Sequence, residues 1–148
     1  MRLLRQRLAV LSPLVVALAA CSDATGPMPE DVLAHRANWL AHNLTDYTYI
    51  YEARGFFISW EAQPIRVAVR DGVVVSATFV ATGEPASPSP TDFPTIDKLF
   101  DQATDAARDH TLRAISFDGQ LSYPRRMDLD GPPDARGSLI ATQVQPAP

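Results

Sequence analysis

Two β-branched runs, Ile65–Arg70 and Val73–Phe79, stand on either side of the dipeptide Asp71-Gly72. A type I′ turn needs positive φ at both central residues, and Asp-Gly is one of the few pairs that tolerate it. The two runs are therefore expected to fold back on each other as an antiparallel hairpin, which commits the chain to a sheet. Upstream, Thr45 to Ile58 alternates with period two, placing Tyr47, Tyr49 and Tyr51 on one face and Thr48, Ile50 and Glu52 on the other. Downstream, Leu112–Phe117 and Tyr123–Leu129 read as two strands around Asp118-Gly119, and Ser138–Val144 as a last strand after a Gly-Pro-Pro turn.

Two segments follow the helical period instead. From Glu30 to Leu44, the residues Leu33, Ala37, Leu40 and Leu44 form an apolar stripe with Trp39 on its flank. Pro29, Glu30 and Asp31 suit the start of such a helix, and His42-Asn43 suits its end. Thr95 is placed to cap a second helix running to about Asp109, with Ile96, Leu99, Phe100, Ala103 and Ala107 on its buried side. The intervening stretch Thr82–Pro94 holds four prolines and cannot continue a central strand. The order helix, three strands, helix, two or three strands predicts an α+β domain. In it, an antiparallel sheet of about five or six strands carries two helices packed on one face.

The N-terminus reads as an address rather than as part of that domain. Met1–Arg7 carries Arg2, Arg5 and Arg7 without an acid, and Leu8–Ala20 is a 13-residue apolar run interrupted only by Ser12 and Pro13. This fits an export signal and is shorter than the roughly 20 apolar residues a spanning helix needs. Leu18-Ala19-Ala20-Cys21 resembles the lipobox of bacterial lipoproteins, which implies cleavage of residues 1–20 and lipidation, typically with palmitate-like chains, on Cys21. Cys21 is also the single cysteine, so no internal disulfide is available to it. Residues 21–29 are then a lipidated cysteine and a flexible tether reaching about 15 Å, and residues 30–148 are one α+β domain. The expected location is a cell envelope, on the periplasmic face of the outer membrane where the bacterium has two membranes.

Charge excludes one class of partner. Loss of the three signal arginines leaves 10 basic against 17 acidic side chains, a balance of −7. Nucleic acid needs a basic face, so it is not an expected partner. Twelve arginines against the single Lys98 read as the habit of a genome rather than as a functional pattern.

The order of several short motifs resembles an uncharacterised family of small bacterial secreted proteins and lipoproteins, classified only as a domain of unknown function. The residues that carry the resemblance are Trp39, Tyr47-x-Tyr49-x-Tyr51, Val67-x-Val69-Arg70-Asp71-Gly72-x-Val74 and Thr82-Gly83-Glu84-Pro85. Thr95-Ile96-Asp97-x-Leu99-Phe100, Phe117-Asp118 and Tyr123-Pro124 continue it through nearly all of the domain. The resemblance implies no activity. Many members carry a closely spaced cysteine pair after the tyrosine strand; here that stretch is Arg54-Gly55-Phe56-Phe57-Ile58-Ser59, so any redox role of the pair is absent.

Several constellations are candidates for chemistry. His35 and His42 share a helix face but lie about 10.5 Å apart along its axis, too far to chelate one metal, and His110 follows the second helix. Asp97, Asp101, Asp105 and Asp109 recur every four residues, a spacing at which like charges repel. This ridge is either a solvated face or a binding site for a basic partner or a divalent cation, with Asp97, Asp101 and Asp105 as the binding candidates. Tyr47, Tyr49 and Tyr51 form either a binding stripe or the inward face of the sheet. Asp128-Leu129-Asp130-Gly131 with Asp134 is an acidic turn. It lacks the spacing and closing glutamate of an EF-hand loop.

There is no G-x-S-x-G elbow, no Gly-rich phosphate loop, no H-E-x-x-H and no cofactor motif. The leading expectation is a non-catalytic binding module, anchored to a membrane and presenting a sheet face and the Pro-rich loop to an envelope protein, peptide or wall component. The alternative is an envelope hydrolase or metal-dependent enzyme with an acidic site near Asp128, Asp130 and Asp134.

Overall fold

A computed structural model of the chain describes residues 27–55, 63–87, 89–131 and 136–147. The export signal, Cys21, most of the tether, the end of the tyrosine strand at Ile58, and Asp134 lie outside the described residues.

The elements are α1 (Pro29–Ala41), β1 (Tyr47–Gly55), β2 (Ile65–Arg70), β3 (Val73–Phe79), α2 (Ile96–Arg108), β4 (Leu112–Phe117), β5 (Pro124–Asp130) and β6 (Arg136–Pro146). The six strands form one antiparallel sheet in the order β3-β2-β1-β6-β5-β4. The domain is therefore α+β, with two helices and a six-stranded sheet. At the β2–β3 turn, Asp71 and Gly72 adopt φ of 48° and 72°, the pair of positive values the hairpin requires.

The first and last strands meet at the middle of the sheet. β1 and β6 pair from Tyr47↔Pro146 to Gly55↔Gly137, with an irregularity between Thr48 and Ile50. The far end of this seam depends on Gly55, whose φ is +96°. A Cβ there would lie 2.0 Å from the Arg136 carbonyl oxygen and 2.7 Å from Gly137 Cα. Only glycine permits so close an approach in that conformation.

One face of the sheet builds the core. Tyr47, Tyr49 and Tyr51 of β1, Val67 of β2, Met127 of β5 and Leu139 of β6 are buried together with Ile96, Leu99, Phe100 and Ala103 of α2. The side-chain oxygen of Thr95 accepts from the Lys98 N–H at 3.2 Å, so α2 starts where its cap dictates.

The first helix turns a different face inward from the one its leucines suggest. Val32 and Trp39 are buried, whereas Leu33 and Leu40 are 45% and 53% exposed. Trp39 decides this, because its ring fits edge-on against Tyr47 and Tyr123 at centroid distances of 5.5 and 6.4 Å. A large ring filling that space outweighs a stripe of smaller side chains. The helix also ends at Ala41, short of Leu44, since Asn43 takes φ of 51° and redirects the chain.

The described part of the Pro-rich loop is fastened to the domain. Glu84 and Ala77 carbonyls accept from the Phe79 and Ala86 N–H groups at 2.9 and 3.0 Å, extending the edge of β3. Phe93 is buried edge-on to Tyr51, and the Pro94 carbonyl accepts from the Tyr49 hydroxyl.

Candidate functional site

Strand alternation that sends the tyrosines inward sends a charged set outward. On the face opposite the tyrosines, Arg54 lies opposite Ser138, Ser138 opposite Asp128, and Asp128 opposite Ala114. One pair along, Glu52 faces Ile140, Ile140 faces Arg126 and Arg126 faces Ser116. The outermost pair of β5 and β6 is Asp130 with Arg136. The register of four strands thus gathers residues distant in sequence at one end of the open face.

Arg54, Arg113, Arg126, Arg136, Asp128 and Ser138 line a concavity of about 450 Å³. Arg126 Nε donates to Asp128 Oδ1 at 2.8 Å and its Nη2 to Ser138 Oγ at 3.1 Å. The Ser138 hydroxyl donates to the same Asp128 oxygen at 2.6 Å. Arg54 Nη2 reaches Glu52 Oε2 at 2.6 Å. Arg113 Nε and Arg136 Nε both approach Asp130 Oδ1, at 3.7 and 3.8 Å, which is attraction without a hydrogen bond.

The Ser138 hydroxyl outweighs the opposing push of partial burial and, with Arg126 adding to it, holds the Asp128 carboxyl below the usual carboxylate range. Such a carboxylate stays ionised and is a poor proton donor or acceptor near neutral pH. The acidic-site alternative also needs Asp134, which lies outside the described residues. Among the described residues, no group of three or more His, Cys, Asp and Glu could hold a metal ion.

The other sequence candidates fall elsewhere. The three tyrosines are core, at 1%, 1% and 5% exposure, and out of a partner's reach. The Tyr47 hydroxyl accepts from the Ile96 N–H, and burial pushes its phenol up to about 12. Burial raises the Tyr49 phenol as well. The middle of the acidic ridge is compensated by basic side chains. Asp101 lies 2.8 Å from Arg36 Nη1 and 3.3 Å from Lys98 Nζ, while Asp105 lies 3.6 Å from Arg108 Nη1. Partial burial works against Asp101, yet the bonds from Arg36 and Lys98 prevail and lower its pKa. Asp97 occupies the first turn of α2, where the helix dipole favours an acid, and Asp109 is that helix's C-cap.

His35 stacks on Phe117 with ring centroids 3.7 Å apart, and its buried Nδ1 has no hydrogen-bond partner among the described residues. His42 and His110 are exposed, at the ends of α1 and α2.

A family model described as a family of unknown function (DUF6174) matches residues 31–145. The chain belongs to this family. The match runs from the first turn of α1 to the last residues of β6, so the DUF6174 domain is the whole α+β unit, with both helices and all six strands. No curated protein and no solved structure matches the chain.

The arginines of the DUF6174 domain are the functional candidates that sequence reasoning passed over. Arg126 and Asp128 flank the inward Met127 and so had to point outward together. No local pattern, however, tells that β4, β6 and the end of β1 lie beside them.

Proposed function

We propose that the chain is a lipid-anchored binding module of a bacterial cell envelope and that the open face of its sheet, opposite the tyrosines, is the recognition surface. Residues 1–20 export it, Cys21 takes the lipid, and the tether keeps the domain within about 15 Å of the membrane. The observation that carries the recognition surface is the arginine-lined concavity. In a protein of formal net charge −4, four arginines converge on one end of an open sheet face. Folding alone has no use for that convergence, because ion pairs this exposed contribute little to stability.

The test is a crosslinking pull-down from intact cells with the full precursor tagged after Pro148. A Cys21→Ala control separates anchoring from recognition, and labelled palmitate follows the lipid. The expected result is label on Cys21 together with one reproducible envelope partner, lost on charge reversal at Arg113 and Arg136. Absence of label would remove the anchor from the proposal. A partner retained in the charge-reversed form would remove the open face.

A further inference from the structure

We propose that the concavity at the Arg136 end of the open face is an anion site for the phosphate group of a small soluble molecule, a reading that rests on the open face being the recognition surface. Size comes first. A volume of about 450 Å³ falls in the range of small-molecule sites, roughly 300 to 1,000 Å³.

Charge comes second. Arg54, Arg113, Arg126 and Arg136 stand against Glu52, Asp128 and Asp130, which leaves a positive surplus on an otherwise acidic protein. The four guanidinium groups are not equally engaged. Arg126 is held by two short bonds, to Asp128 and Ser138, and Arg54 by two to the same Glu52 oxygen. Among the described residues, Arg113 and Arg136 share Asp130 at 3.7 and 3.8 Å and make no side-chain hydrogen bond, so their planar forks keep N–H donors to offer. A guanidinium fork matches two oxygens of a phosphate in plane, with stronger hydrogen bonds than a neutral donor makes.

Asp130 is then a placeholder. One of its oxygens sits between the two arginines, where an incoming acid oxygen would lie, and the carboxylate is half exposed and free to swing away. The fixed pair of Arg126 and Asp128 forms the floor beside it. The phosphate is placed between Arg113 and Arg136, whose donors are the less engaged.

The experiment titrates the full chain carrying Cys21→Ala, in mild detergent, with inorganic phosphate and separately with glycerol phosphate. The readouts are arginine Nε–Hε signals in NMR and the melting temperature, with sodium chloride of matched ionic strength as reference. The expected result is saturable binding that chloride does not reproduce, with Nε–Hε shifts confined to the basin. Arg113→Gln and Arg136→Gln each weaken it by about tenfold or more, the scale of one charged hydrogen bond. Asp130→Asn removes the competing carboxylate and tightens it. Arg125→Gln, exposed outside the basin, leaves it unchanged.

A response equal to that of chloride, or one indifferent to Arg113 and Arg136, would overturn the proposal. So would cosedimentation with phosphatidylglycerol vesicles in the absence of binding to either soluble phosphate, which would assign the face to lipid headgroups. Failure here leaves the pull-down result standing, because that experiment reads a partner and this one reads only the anion.

Discussion

The Tyr47 hydroxyl on the first strand accepts a hydrogen bond of 3.0 Å from the backbone N–H of Ile96, the first residue of α2. Residues 49 positions apart are thereby joined at a helix start, where backbone donors otherwise lack partners. Tyr47→Phe is expected to destabilise the domain by about 1.5 kcal/mol at neutral pH, measured by urea unfolding. The phenol also shapes the alkaline limb. Its folded pKa of about 12 exceeds the usual 10.0, so the neutral form contributes stability that is full below pH 10 and is lost as pH rises towards 12. Tyr47→Phe is expected to lose stability more gently across that window than the parent chain.

Gly55→Ala tests the β1–β6 seam. The added methyl would meet the Arg136 carbonyl in a conformation with positive φ, so a loss of at least about 2 kcal/mol is expected. Gly119→Ala is the control. A methyl added there would have no atom within 4 Å, and a change within about 0.5 kcal/mol is expected. Equal effects at the two glycines would contradict the close approach.

The orientation of α1 is testable with two truncations. Trp39→Ala opens a cavity between Tyr47 and Tyr123 and is expected to cost about 3 to 5 kcal/mol. Leu40→Ala removes a side chain that is 53% exposed and should stay within about 0.5 kcal/mol. The reverse ranking in chemical denaturation would mean that the leucine stripe faces the core.

His35→Phe is expected to raise stability by about 1 kcal/mol, read as a higher melting temperature. It keeps the stack on Phe117 and removes a buried ring nitrogen that has no hydrogen-bond partner among the described residues. A lower melting temperature would mean that Nδ1 has a polar partner.

Asp128 shapes the acid limb. Its folded pKa lies below the ordinary 3.8, so its contribution is present above that value and is lost as pH falls towards the folded pKa. Asp128→Asn should lower stability at neutral pH by less than about 1 kcal/mol, since the pair is partly solvated. Acid titration of the variant, followed by circular dichroism, should show a shallower decline below pH 4.

Local rules carried most of the fold. Asp71-Gly72 determined a hairpin because few residues adopt positive φ, and Thr95 marked a helix start because its oxygen can satisfy an orphan amide. The tyrosine alternation distinguished the two faces of β1, although not which face would meet a partner. The inward face of α1 escaped local reading. Val32 with Trp39 and Leu33 with Leu40 are both seven apart, and only the space over Tyr47 and Tyr123 selects between them. The arginine basin escaped for a related reason. Its members lie on four strands, and alternation assigns a side to each residue without naming its neighbours.

The seam between β1 and β6 gives this domain an order of assembly in time. Its partners are separated by 82 positions at Gly55–Gly137 and by 99 at Tyr47–Pro146. Closing so long a stretch of chain is entropically unfavourable and slow, and the gain arrives only when the final strand does. As the polypeptide is made or delivered from its N-terminus, β1 remains a bare edge beside a finished hairpin, able to pair with a stray strand. The eleven residues of β6 act as a latch, and a chain truncated before them keeps both helices and every other strand yet has no middle.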